Sequence, residues 1–97
     1  MFLLRFDLRI PPFVEGLTPA AQYGEMLEMV RWADGEGFAG VVLSEHHGSD
    51  DGFMSAPLAI AGVVLGATRN LFCSVSALLL PFHDPLRVAE DVAALDL

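Results

Sequence analysis

Three times along this chain, a short apolar segment with strand character precedes a segment with helical character. Apolar and charged residues alternate with a period of two over positions 3–10, which predicts a first strand. The apolar segments 39–44 and 71–77 predict a second and a third strand, and paired valines indicate that the second is buried. Strands that alternate with helices predict an α/β fold with a parallel sheet and right-handed crossovers. The pattern alone leaves open whether the strands belong to a barrel or to a doubly wound sheet.

Each predicted strand precedes a start signal for a helix. Thr18-Pro19 and Asp84-Pro85 each place a capping side chain directly before a proline, a residue that suits the first helical position. Ser55 could cap the intervening helix ahead of Pro57. The predicted helices run from Pro19 to about Gly35, from Ala56 to about Arg69, and from Pro85 to the last residue.

The apolar content is high for a chain of this length. Hydrophobic residues make up 54% of the 97 positions, which is more than a small domain can easily bury. Three strands with helices on one side would leave one sheet face bare, so an incomplete domain is the leading explanation. The second predicted helix is apolar on every side, and Gly62 and Gly66 permit close approach of another helix. Burial within a larger chain and a subunit interface are both consistent with this.

Charge and cysteine content narrow the functional classes. The formal net charge is −8, with five arginines and no lysine, which argues against nucleic acid or an anionic membrane as a partner. The single Cys73 excludes an intrachain disulfide and a cysteine-based zinc cluster, and its apolar setting predicts an inert core thiol. The start of the chain lacks the pattern of a signal peptide, and the apolar run 56–67 is too short to span a bilayer. A cytoplasmic location is therefore expected.

Polar residues lie at the end of the second predicted strand, which closes on Ser44 and is followed directly by Glu45, His46 and His47. In parallel α/β proteins, residues at the carboxyl ends of strands line the ligand site. Because successive strand side chains point to opposite sides, only one of the two histidines can face that site. Ser44 is small and polar, and His46 lies on its side of the strand, so we place His46 in the pocket. The alternative is that both histidines only hydrogen-bond the loop backbone.

The same stretch contains residue types that bind metals. Glu45, the two histidines, Asp50 and Asp51 could be ligands, but neighbouring strand residues diverge and no helical histidine pair supports them, so metal binding is disfavoured. Asp50-Asp51-Gly52 more simply predicts a turn.

Other charged residues have structural explanations. Arg5, Asp7 and Arg9 share one face of the first strand, where we expect Asp7 to pair with one of the arginines. Asp84 is needed as a helix cap, so His83 is expected to pack beside it in a structural role.

Several segments together resemble the N-terminal part of the luciferase-like monooxygenase family, which includes bacterial luciferase and reductases that use a deazaflavin coenzyme. The segments are Pro11-Pro12 after the first strand, Gly35-Glu36-Gly37-Phe38, Ser44-Glu45-His46-His47, the stretch from Ser74 to Pro81, and the motif from His83 to Asp91. The similarity covers nearly the whole chain.

This resemblance implies that residues 1–97 form strands 1–3 and helices 1–3 of an eight-stranded TIM barrel, (β/α)8, with parallel strands. It implies a flavin or deazaflavin at the carboxyl ends of the strands, with His46 as the catalytic residue. Ser44, Ser76 and Ala77 would contact the cofactor, with Glu45 in the same region, and Ser76-Ala77 falls where the family has a cis peptide without proline. The second and third helices correspond to those that pair in family dimers, which implies a homo-oligomer.

The leading hypothesis is the N-terminal part of a flavin- or deazaflavin-dependent oxidoreductase or monooxygenase. Its cofactor would be FMN or the deazaflavin coenzyme F-420, and its substrate a small molecule. We expect these 97 residues to be inactive alone, because the phosphate-binding loops of such barrels follow later strands. The first alternative is a non-catalytic, helix-mediated dimerisation module derived from such a barrel. A small metal-binding α/β protein is a weaker one.

Overall fold

The computed structural model describes residues 1–97 and contains one parallel sheet with the strands in chain order. Each strand is followed by a helix, so the predicted strand–helix alternation is confirmed. The strands are β1 (Leu3–Arg5), β2 (Gly40–Leu43) and β3 (Phe72–Val75), and the helices are α1 (Pro19–Gly35), α2 (Pro57–Ala67) and α3 (Pro85–Leu95). None of the helices combines the length and the hydrophobicity needed to cross a bilayer.

The hydrophobic core lies on one face of the sheet. Val41 and Leu43 of β2 are fully buried there, together with Val30 of α1 and Val64 of α2. The strand periodicity therefore directs alternate β2 side chains towards the helices. Burying a valine or leucine side chain contributes about 1.5–3 kcal/mol, so these contacts hold the helices on the sheet.

The other face of the sheet is uncovered. Arg5 is exposed, and its neighbours Val42 and Ser74 are only partly buried. Phe72 lies on the same face, across Gly40, where a Cβ atom would come within 2.7 Å of the phenyl ring. The accessible surface of 6347 Å² exceeds the roughly 5,400 Å² typical of a folded protein of this mass. The bare face predicted from the apolar content is present.

Two of the three predicted helix caps are confirmed. The Thr18 hydroxyl accepts the N–H of Ala21 at 3.2 Å, and one Asp84 carboxylate oxygen accepts the N–H groups of Leu86 and Arg87 at 2.9 and 3.1 Å. The prediction for Ser55 is wrong. Ala56 occupies the cap position of α2, without a capping side chain.

The predicted end of α2 near Arg69 is also wrong, because the helix stops at Ala67. The carboxylate of Asp34, in α1, accepts the N–H groups of Arg69 and Asn70 at 3.0 and 2.9 Å. These bonds hold the turn before β3 in a non-helical conformation. The third helix likewise ends before the last residue, at Leu95.

The strands are shorter than predicted, and β1 most of all. Only residues 3–5 pair as a strand with β2, although the N–H of Phe6 still reaches the Val42 carbonyl at 3.1 Å. Further along, the Leu8 carbonyl accepts the N–H of Met54 at 3.0 Å, and the N–H of Ile10 reaches the Asp51 carbonyl at 2.7 Å. The alternating segment 3–10 therefore pairs first with β2 and then with the loop that follows it. Sequence alternation could not show this change of partner.

Helix α2 has two different sides. Ala61 and Val64 are buried against the sheet, whereas Ala59, Val63 and Gly66 are exposed. Ala59 and Gly66 on the outward side are small, so a partner helix could approach closely there, as the sequence suggests.

A matched pair of substitutions on α2 tests this orientation. We expect Val64→Ala to lower the free energy of unfolding by about 1–3 kcal/mol, because it leaves a cavity beneath the sheet. Val63→Ala removes the same two methyl groups from the exposed side and should cost less than about 0.5 kcal/mol. Urea denaturation followed by circular dichroism measures both. Equal losses would mean that α2 is rotated from the position described.

Candidate functional site

Three polar residues near the ends of β1 and β2 meet on the side of the sheet away from the helices, where Arg5 and Asp7 are exposed and Ser44 is buried. The Ser44 hydroxyl donates to Asp7 at 3.4 Å, and Arg5 Nε lies 3.7 Å from the same carboxylate oxygen. The predicted pairing of Asp7 with an arginine is confirmed, with Arg5 as the partner. Both charged side chains are more than half exposed, so the ion pair contributes at most about 1 kcal/mol.

His46 lies in the loop that leaves β2, where its ring stacks on Phe53. The ring centroids are 3.8 Å apart with 16° between the planes. The guanidinium of Arg9 lies 5.2 Å from the same phenyl ring and 3.9 Å from Asp51. The imidazole of His46 is exposed and makes no hydrogen bond to another residue, while its backbone N–H donates to the Met54 carbonyl at 2.9 Å. Its ring nitrogens are therefore free to meet a ligand.

His47 faces a different environment and hydrogen-bonds Glu45. Its Nε2 lies 2.7 Å from the Glu45 carboxylate, and its ring packs at 4.9 Å on Phe82. The alternative in which both histidine side chains bond only the loop backbone is therefore wrong. The His46 ring makes no hydrogen bond and the His47 ring bonds Glu45, which agrees with the expectation that successive side chains point to opposite sides.

Glu45 is buried and does not line the open face, so its predicted place beside Ser44 is corrected. Its side chain accepts the N–H of Leu79 at 2.7 Å as well as hydrogen bonds from His47 and, at 2.8 Å, from Nε2 of His83. The physical reason is the alternation itself, since Glu45 shares the side of Leu43, the side away from Ser44.

His83 was expected only to pack beside Asp84, and its contact with Glu45 was missed. Thirty-eight positions separate the two residues, so no local spacing links them. The one available signal was an acidic residue on the buried side of β2, for which the chain has to supply partners.

The Glu45 carboxyl group stays ionised in the folded chain. Burial raises its pKa, but the hydrogen bonds from Leu79, His47 and His83 outweigh burial and lower the pKa below its ordinary value near 4.5. The pKa of Asp51 is lowered too, first by the Ser49 hydroxyl and then by the N–H of Phe53 and the charge of Arg9.

Residues 49–52 form the predicted turn. The N–H of Gly52 donates to the Ser49 carbonyl at 3.2 Å, and Gly52 has a φ of +70°, which a residue without Cβ adopts easily. No set of three or more His, Cys, Asp or Glu side chains is arranged to hold a metal ion, so the metal-binding alternative gains no support.

The peptide between Ser76 and Ala77 is cis, as predicted. The N–H of Ser76 donates to the Leu43 carbonyl at 2.7 Å, which places this peptide beside the start of the Ser44–His47 segment. Both residues are exposed and small, so a flat ligand could approach their backbone. Their role as cofactor contacts stays a prediction.

An apolar cavity lies away from these residues. It is a groove of about 530 Å³ between α2, β3 and α3, lined by ten hydrophobic residues and Asp96. Cys73 belongs to this groove, and burial raises its pKa to about 11, so the thiol is protonated at neutral pH. With no reactive group beyond this thiol and one acid, the groove is a packing surface rather than a reaction site.

The sequence matches a known family over almost its whole length. A sequence model of the family described as luciferase-like monooxygenase covers residues 4–97. The chain belongs to the luciferase-like monooxygenase family. The resemblance in the motifs from Pro11-Pro12 to Asp91 is thereby confirmed.

Curated relatives of the chain include subunits of alkanal monooxygenase. The chain is 30% identical over 94 residues to the beta chain from Photorhabdus luminescens, an alignment that spans 96% of this chain and 29% of that one. It is 36% identical over 72 residues to the Vibrio harveyi beta chain, across 74% of this chain and 22% of that one. It thus spans less than a third of the length of these relatives.

Two solved monooxygenase structures have the same fold over this region. Monooxygenase RslO1 from Streptomyces bottropensis superposes with a TM-score of 0.85 at 26% identity, over 99% of this chain and 29% of that one. The oxygenating constituent of 3,6-diketocamphane monooxygenase from Pseudomonas putida, solved in complex with FMN, superposes with a TM-score of 0.79 at 21% identity, over 97% of this chain and 25% of that one. The expected fold, three parallel β/α units of a luciferase-like TIM barrel, is confirmed.

We expect Glu45 to contribute to acid denaturation. Because its folded pKa is lowered, its hydrogen bonds stabilise the fold above the ordinary value near 4.5 and are lost as the pH falls through the lowered pKa. The difference in unfolding free energy between the unchanged chain and Glu45→Gln should therefore shrink as the pH is lowered below about 4.5. Urea titrations at several pH values measure this difference. Glu90→Gln, at an exposed glutamate on α3, is the control and should not reproduce the effect.

Proposed function

We propose that this chain supplies the first three β/α units of a flavin-dependent monooxygenase or oxidoreductase that acts on a small molecule. The observation that supports this best is the arrangement at the carboxyl edge of the sheet. The Ser76–Ala77 peptide, bonded to the end of β2, lies on the same edge as Ser44 and the free ring of His46. Family membership supplies the reaction class.

Residues on the open face fit a flat, partly polar cofactor such as FMN or a deazaflavin. Ser44, Ser76 and Ala77 have small side chains; Ser76 and Ala77 are exposed, whereas Ser44 is buried and reaches the open face through its 3.4 Å contact with Asp7. The FMN bound to the Pseudomonas putida oxygenating constituent favours a flavin, whereas nothing of this kind favours a deazaflavin. A bound flavin would supply the redox chemistry.

His46 is proposed to hold, donate or accept a proton beside the cofactor. An imidazole changes charge near neutral pH, and both ring nitrogens of His46 lack an internal partner. Phe53 fixes the plane of the ring by stacking, so the ring could present a nitrogen to substrate without a large loss of side-chain freedom. Ser44, Ser76 and Ala77 would bind and orient the cofactor next to it.

The parent enzyme is further proposed to be a cytoplasmic homo-oligomer that pairs through α2 and α3. The exposed small residues of α2 and the shallow groove that Ala59 and Gly62 form with Ala94 of α3 support this. The same surface supports the second candidate function, a dimerisation module without a working pocket. Sedimentation and flavin titration of one sample discriminate the two, since self-association without flavin binding in any assembly would favour the module.

We expect the isolated chain to bind FMN no more tightly than about 1 µM, because TIM barrels commonly hold the phosphate with loops after strands seven and eight. Quenching of flavin fluorescence measures the affinity. Submicromolar binding by residues 1–97 would contradict this expectation and would mean that the three units form a complete site.

In the assembled enzyme, we expect His46→Ala to lower turnover by about 10²- to 10⁴-fold, the usual loss on removal of a positioned acid or base. His47→Ala should act mainly through stability, because His47 bonds the buried Glu45. Steady-state kinetics together with thermal unfolding separate the two effects. Equal kinetic losses in both variants would show that the assignment of His46 to the reaction is wrong.

A further inference from the structure

A buried carboxylate joins the end of β2 to the loop between β3 and α3. The side chain of Glu45 has no exposed surface, and it accepts hydrogen bonds from Leu79 N–H and His83 Nε2, both in that loop. We infer that Glu45 is a positioning residue, which holds the loop of residues 76–84 against β2 and so fixes the Ser76–Ala77 peptide at the open face. The inference rests on the proposed function only in assigning that peptide to the cofactor.

The loop has few other attachments to the sheet. The Ser76 N–H bonds Leu43 at its start, and Asp84 caps α3 at its end. Between them, a short 3-10 helix at Leu80–Phe82 makes only local backbone bonds. Leu80 and Phe82 are 59% and 70% exposed, so the apolar contacts of this segment are limited to half-buried Leu78 and Leu79 and to the packing of Phe82 on His47. Glu45 therefore supplies the long-range hydrogen bonds in the middle of the loop.

The three contacts of Glu45 are strongest with a carboxylate. One oxygen of Glu45 accepts from Leu79, and the other accepts from both His47 and His83. For the two ring contacts to be hydrogen bonds to the anion, each imidazole has to carry a proton on Nε2. A glutamine could turn its carbonyl oxygen to Leu79 and its NH2 group to the two rings, provided that each imidazole carries its proton on Nδ1 instead. Glu45→Gln is therefore nearly the same size but replaces three charge-assisted hydrogen bonds with neutral ones.

Amide hydrogen exchange in the 97-residue chain tests the inference without flavin. We expect Glu45→Gln to speed exchange of the Leu79 amide by about 5- to 10-fold, the difference between a charge-assisted and a neutral hydrogen bond. The Met54 amide lies in the loop after β2 and donates to the Leu8 carbonyl, so its exchange rate should change much less. The amide resonances of Ser76 and Ala77 should also shift. Glu90→Gln, at an exposed glutamate of α3, is the control; it should neither speed exchange of the Leu79 amide nor shift the resonances of Ser76 and Ala77.

Equal acceleration of exchange at the Leu79 and Met54 amides, or unchanged exchange at Leu79, would overturn the inference, because a residue with a general structural role affects all core amides alike.

If Glu45→Gln does not fold, a pair of substitutions at His83 tests the inference instead. His83→Gln keeps a side-chain N–H donor and should retain part of the Leu79 protection that His83→Phe loses; equal protection in the two would also overturn the inference. Since no cofactor is present, these results are independent of flavin binding. Failure to bind flavin in any assembly would count against the proposed function alone.

Discussion

β2 is hydrogen-bonded on both sides, and the rest of the structure depends on this pairing. With β1 on one side and β3 on the other, the strand cannot rotate, so the direction of every side chain along it is fixed. Val41 and Leu43 point into the core. The same alternation continues past the end of the strand, where Ser44 bonds Asp7 on the open face and Glu45 points to the buried side. A shift of one residue in register would exchange these two environments.

The fixed direction of the β2 side chains places polar residues on two sides of the sheet, where their hydrogen bonds and ion pairs differ in strength. On the open face, Asp7 bonds the buried Ser44 at 3.4 Å, and its ion pair with Arg5 is solvent-exposed, so a ligand could replace the ion pair at small cost. On the buried side, Glu45 accepts three short hydrogen bonds and lacks access to water, so breaking them would leave unpaired polar groups. The weakly held residues suit ligand binding, and the strongly held carboxylate suits support of the loop.

Local signals in the sequence predicted much of this arrangement. Thr18 and Asp84 act as caps because capping needs only a short polar side chain and nearby N–H groups. The opposite environments of His46 and His47 followed from strand alternation alone. The prediction that Ser55 caps α2 is wrong because Ala56 occupies the cap position. The predicted β1 is too long because sequence alternation is the same whether a segment pairs with a strand or with a loop. The contact of Glu45 with His83 joins distant parts of the chain and depends on how the loop folds back, which no local pattern encodes.

The bare sheet face and the apolar groove beside β3 have a common origin in the number of strands. The outer edge of β3 pairs with no strand, and three twisted parallel strands are too few to close on themselves. Phe72 turns over Gly40 on this face and covers part of it, but Leu3 and Phe72 stay nearly half exposed. In the solved structures that superpose on this chain, the matched region accounts for about a quarter to three-tenths of the longer chain. The apolar surface that looks excessive for a small domain is therefore of the kind that further strands of a barrel would cover.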